Sequence, residues 1–131
     1  MPTARKIVDG PGVRSTEGRP GLADRELLGG ALADELAGTF KVLANDTRLR
    51  LLHALARAGE LCVSDLAGEL EMAPQALSNQ LQRLADRRIV ASRRIGNRIL
   101  YRIVDPCVPA LLDLGLCLTE DARQEAAVTR G

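Results

Sequence analysis

The sequence predicts a mainly α protein carrying one small β-hairpin. Three observations carry that prediction. Leucines recur at helical spacing through most of the chain, aromatic residues make up only 2% of it, and one segment near residue 90 switches to a strand-like pattern. With 131 residues and 46% apolar side chains, the chain has the size and material for one domain. Its core must be aliphatic, and Leu and Ala are strong helix formers. A thin aliphatic core in a short chain gains stability from a partner subunit.

Residues 1–20 hold several Gly and Pro without apolar periodicity and are expected to form a flexible N-terminal arm. The main domain is expected over 21–120. It would open with a helix from Leu22 to about Leu28, punctuated by Gly29-Gly30. The stretch Ala31 to Leu43 places Leu32, Leu36, Phe40 and Leu43 on one helical face. Asp46 is expected to cap a helix from Thr47 to Ala58, with Leu49, Leu52, Leu55 and Ala56 as its buried stripe. His53 beside that stripe reads as a packed or half-exposed side chain rather than a ligand. Gly59 suits the helix end.

A third helix is expected to open at Leu61 and end near Leu70. After the turn Glu71-Met72-Ala73, Pro74 suits the first position of a helix over about 74–87. Leu77, Leu81 and Leu84 would face its core. Two short helices joined by about three residues read as a helix-turn-helix. The next segment, about 89–104, reads as two strands around a Gly96-Asn97 turn. A two-stranded hairpin is not stable alone, so it must lie against the helices as a wing. The fold class is therefore a winged helix-turn-helix. A final helix over about 109–120 carries Leu111, Leu112, Leu114, Leu116 and Leu118, apolar nearly all round. Its extra apolar side makes the fold dimeric, and residues 121–131 are expected to fray.

Net charge is only +1, but its distribution is uneven. From Gln82 to Arg102 stand seven arginines against one acid, Asp86, so this stretch carries +6 and the remainder −5. A single basic segment on an acidic chain is the footprint of polyanion binding. The helix from Pro74 carries Gln75, Ser78, Asn79, Gln82 and Arg83 away from its leucines. Asn and Gln pair bidentately with adenine, Arg with guanine, and Ser bonds bases or phosphate. The hairpin supplies Arg93, Arg94, Asn97 and Arg98, which are expected to grip phosphate or the minor groove. The expected partner is double-stranded DNA. No run reaches the ~18–20 apolar residues of a membrane span, and the N-terminus lacks a secretory stretch. A cytoplasmic location without membrane contact follows. No Ser/His/Asp set or Gly-rich phosphate loop is visible, so no enzyme is expected.

These residues resemble the ArsR/SmtB family of metal-sensing winged-helix repressors. The resemblance runs through Phe40–Leu52, through Glu60–Ala67 with the following Ala76–Leu81, and through the Arg-rich wing ending Tyr101-Arg102-Ile103. It implies a homodimer held by the first and last helices, seated on a palindromic operator and released by an effector. Many members bind metal through a Leu-Cys-Val-Cys-Asp type motif and cysteines of the N-terminal arm. Here Cys62 matches the first cysteine, Ser64 replaces the second, and the arm has none. Other members carry Asp-x-His at the start of the last helix. Asp105-x-Cys107 falls in that register, and Cys117 falls close to a further ligand position.

An odd cysteine count does not suit a closed disulfide framework. Cys62, Cys107 and Cys117 together offer three thiolates, which select soft ions: mercury(II) first, then cadmium, lead or arsenic(III). Ten residues of helix separate Cys107 from Cys117 by about 15 Å, too far to share an ion within one chain. An antiparallel pair of closing helices would bring Cys107 of one protomer to Cys117 of the other. A thiol redox or persulfide switch on the same scaffold is the alternative.

Overall fold

The computed structural model describes residues 18–130. The expected arm thus lies almost wholly outside the described residues. Within them stand five helices and one three-stranded sheet: α1 (Gly30–Leu43), α2 (Asp46–Ala58), β1 (Leu61–Cys62), α3 (Val63–Leu70), α4 (Pro74–Asp86), β2 (Val90–Ile95), β3 (Arg98–Ile103) and α5 (Cys107–Arg130). The helix expected over 22–28 is a single 3-10 turn, Leu22–Asp24. Leu22 and Leu27 remain 83% and 99% exposed, so no packing stabilises a longer helix there.

α2 starts at Asp46, but its cap is Asn45, not Asp46. Asn45 is extended and its Oδ1 accepts the Arg48 N–H at 3.0 Å. Asp46 instead sits in the first turn, where its charge favours the positive helix end. Replacing Asn45 with Ala is expected to lower stability by about 1 kcal/mol, read as a shift in the urea midpoint at constant slope. The buried face of α2 is Leu51, Leu52, Ala54 and Leu55, whereas Leu49 is 38% exposed and Ala56 is also exposed. The stripe is rotated because α2 packs against α3, α4, α5 and β3 at once.

α3 begins two residues later than expected. Leu61 and Cys62 form β1, opposite Tyr101 and Leu100 of β3. The backbone at Cys62 is extended because β3 offers it an open edge to pair with. β1, β3 and β2 lie in that order, all antiparallel. Gly96 supplies the left-handed φ of +61° that the hairpin turn requires. Leu51, Leu52, Leu55, Leu66, Leu77, Leu81 and Leu84 are fully buried and make the centre of the core.

α5 exceeds the expected 109–120 at both ends. Asp105 Oδ1 accepts the Cys107 N–H at 2.9 Å and starts the helix early. Pro109 fits because the first turn needs no donor there. Beyond Asp121 the residues include Ala122, Arg123, Gln124, Glu125, Ala126 and Ala127, which favour helix, and the helix continues to Arg130. Val108 is buried, while Leu114, Leu116 and Leu118 are exposed. α1 buries only Leu43 and leaves Leu32, Leu36 and Phe40 about half exposed. Two leucine-rich faces therefore stand uncovered on one protomer. Among the described residues no helix is long and apolar enough to cross a membrane.

Candidate nucleic-acid interface

α4 separates its side chains by period. Leu77, Leu81 and Leu84 are fully buried, while Gln75, Asn79, Gln82 and Arg83 are exposed and Ser78 is half-buried. The amide side chains stand on the outer face at full helical turns. Gln75 Nε2 donates to Asn79 Oδ1 at 3.4 Å, and Gln82 Nε2 donates to Asp86 Oδ1 at 3.0 Å. Gln80, which the leucine spacing leaves undecided, turns inward. It accepts from Arg48 Nε at 2.7 Å, and Arg48 Nη1 also donates to the Val42 carbonyl. Arg48 thus ties the end of α1 to the middle of α4.

The hairpin carries Arg93, Arg94, Asn97 and Arg98 exposed, as expected of a wing. They do not form one equivalent set. Arg93 and Cys62 both lie opposite Leu100. Strand alternation then places Glu60, Cys62, Arg93 and Arg98 on one side of the sheet and Arg94 on the other. Arg93 makes a bidentate ion pair with Glu60, both bonds 2.7 Å. Arg98 Nη2 donates to Asp65 Oδ2 and to Cys62 Sγ, both at 3.0 Å. Glu60 and Asp65 did not stand out in the sequence. Reading Leu61-Cys62 as a strand would have found Glu60, because it then falls in step with Cys62.

These contacts set the titration of the groups. The hydrogen bond from Arg93 holds the Glu60 carboxyl below the usual range. Ser64 first and Arg98 second lower the Cys62 thiol, against the opposing effects of the Asp65 side chain and burial. The three cysteines occupy different environments: Cys62 is buried, Cys107 half-buried and Cys117 exposed. Among the described residues of one protomer, no three His, Cys, Asp or Glu side chains gather closely enough to hold a metal ion.

Comparison with known proteins agrees with this architecture. Residues 45–92 match the model of the bacterial regulatory proteins of the arsR family. The chain is 39% identical over 106 residues to the arsenic resistance transcriptional regulator ArsR1 of Pseudomonas putida, covering 79% of this chain and 82% of that one. It is 44% identical over 73 residues to a transcriptional repressor SmtB homolog of Synechocystis, where the match spans 56% of this chain and 54% of that one, about half its length. Among solved structures, the AntR antimony-specific transcriptional repressor superposes with a TM-score of 0.70 at 65% identity, covering 82% of this chain and 96% of that one. A homodimeric winged helix-turn-helix DNA-binding domain from Mycobacterium bovis superposes with a TM-score of 0.66 at 32% identity, covering 79% and 95%. The chain therefore belongs to the arsR family of bacterial regulatory proteins and has the winged helix-turn-helix fold.

Proposed function

We propose that this protein is a transcriptional repressor that leaves a palindromic operator when a soft metal or metalloid ion binds thiolates of Cys62, Cys107 and Cys117. The observation that carries the reading is the buried Cys62 at the start of α3, directly before the helix-turn-helix. A ligand on that sulfur acts on the element that presents α4. In this reading Gln75, Ser78, Asn79, Gln82 and Arg83 meet base edges and nearby phosphates, and the wing lies along the backbone. In this reading the ion is shared between protomers, since the described residues of one protomer do not bring three such ligands together. Cys107 of one α5 and Cys117 of the other then act together with Cys62.

Soft thiolates set the class of ion. Thiol chemistry alone ranks mercury(II) first. The relatives shift that order toward trivalent arsenic or antimony, since they include regulators named for arsenic, cadmium and antimony. A three-thiolate site also suits a trivalent metalloid that takes three ligands. Metal and DNA then favour different dimer states, so each lowers the affinity of the other by the same factor.

The test is fluorescence anisotropy on a duplex selected from random sequence by this protein, with antimonyl tartrate, arsenite, mercury(II), cadmium and lead. The wild type is expected to lose about a hundredfold in affinity with the cognate ion, a coupling of about 3 kcal/mol. Cys62→Ser and Cys117→Ser are expected to lose less than about threefold. Variants that respond like the wild type would sink the site. Release by peroxide or polysulfide with no response to any ion would replace metal sensing with a redox switch.

A further inference from the structure

The Arg98 contacts join two parts of the molecule that are far apart in sequence. Arg98 is the first residue of β3, at the turn of the wing. Cys62 and Asp65 belong to the body, where α3 begins. One guanidinium nitrogen bonds both Cys62 Sγ and Asp65 Oδ2, and the thiol in turn donates to Asp65 Oδ2 at 3.1 Å. Ser64 Oγ closes the group at 3.1 Å from the same sulfur. The β1–β3 pairing holds only the base of the hairpin, opposite Leu100 and Tyr101. The Arg98 cluster and the Arg93–Glu60 pair add side-chain links between wing and body, beside the packing of β2 on α4 and of β3 on α2 and α3. The nearby Asp65 carboxylate offsets part of the Arg98 charge that a phosphate would meet.

We propose that Arg98 is a positioning residue, which sets the wing against the helix-turn-helix through Cys62 and Asp65 and makes the Cys62 sulfur part of the wing's anchor. The link from that sulfur to operator affinity rests on the thiol-sensing reading above; the anchor itself does not. When a soft ion binds Cys62, a sulfur–metal bond forms, the thiol proton passes to water, and a ligand of the ion departs without electron transfer. The bound sulfur no longer donates to Asp65, and the ion with its remaining ligands takes up the space beside the sulfur that Arg98 Nη2 fills at 3.0 Å. Arg98 keeps only one partner, and the wing loosens.

The test uses the full-length dimer and its selected duplex across a potassium chloride series, with thermal melting to confirm that each variant folds. Arg98→Gln is expected to weaken binding about tenfold while leaving the slope of log affinity against log salt unchanged. Arg94→Gln, on the opposite side of the sheet, is expected to reduce that slope by about 0.9, the loss of one phosphate contact. Cys62→Ala combined with Arg98→Gln is expected to bind no worse than Arg98→Gln alone, because both remove one anchor. A slope reduced by Arg98→Gln, or multiplying effects in the double variant, overturns the proposal. Asp65→Asn gives an opposed sign: weaker binding if it anchors Arg98, tighter binding with a steeper slope if it merely holds Arg98 away from phosphate. With antimonyl tartrate, Arg98→Gln is expected to lose about tenfold less affinity than the wild type. Equal losses overturn the link through the wing. An unresponsive wild type overturns the thiol-sensing reading instead, and the salt slopes and Asp65→Asn then decide the anchor alone.

Discussion

Replacing Leu36 and Phe40 together with Asp is expected to dissociate the dimer and weaken operator binding by about 10²–10⁴-fold. The two positions lie one helical turn apart on α1 and are 43% and 48% exposed in the single protomer. With Leu32 they form an apolar stripe on a helix that gives only Leu43 to the core. Such a stripe calls for a cover, and α5 offers a second apolar strip through Leu114 and Leu118, one turn apart and exposed. A carboxylate placed under that cover must be desolvated without a partner, which costs several kcal/mol. Each monomer would still fold, because the core leucines are untouched. It would bind a half-site alone and lose the effective concentration that joins the two reading helices. Analytical ultracentrifugation at micromolar concentration gives the mass, and anisotropy on the selected duplex gives the affinity. An intact dimer in the double variant would place the interface elsewhere.

Leu81→Ala is expected to cost about 3 kcal/mol of stability, within the roughly 2–5 kcal/mol range for a buried Leu. Leu81 is fully buried on the inner face of α4, with Leu77 and Leu84 on either side of it along the helix. Removing its branched end leaves a cavity that a rigid leucine core closes only in part. The melting temperature is expected to fall by about 10 °C, compared at one fixed protein concentration. Asn79→Ala, two residues earlier and on the outer face, should leave stability within about 0.5 kcal/mol. It is expected instead to reduce operator affinity by about 1–3 kcal/mol. Calorimetry and anisotropy on the two variants therefore separate the two faces of one helix. A large loss of stability in Asn79→Ala would show that the amide face also supports the fold.

Local chemistry decided much of this protein. Pro74 and the leucines at 77, 81 and 84 determine where α4 begins and which side it buries, so the outward set from Gln75 to Arg83 was legible in the chain. The change of period after Ile89 and the Gly96-Asn97 turn did the same for the hairpin. The uncovered leucines of α5 announced a partner. In each case the information lies within a few residues, because a helix repeats every 3.6 residues and a strand every two.

Contacts between distant residues were decided only by the tertiary structure. Leu61-Cys62 became a strand because β3 presents a free edge to it, a fact absent from its own two residues. The register of that pairing divided the arginines of the wing, tying Arg93 and Arg98 to Glu60 and Asp65 and leaving Arg94 on the other side. The stripe of α2 turned because four neighbours meet it from different directions. Composition and periodicity place charge and apolar surface on an element, but pairing across more than thirty residues depends on how the elements close against one another.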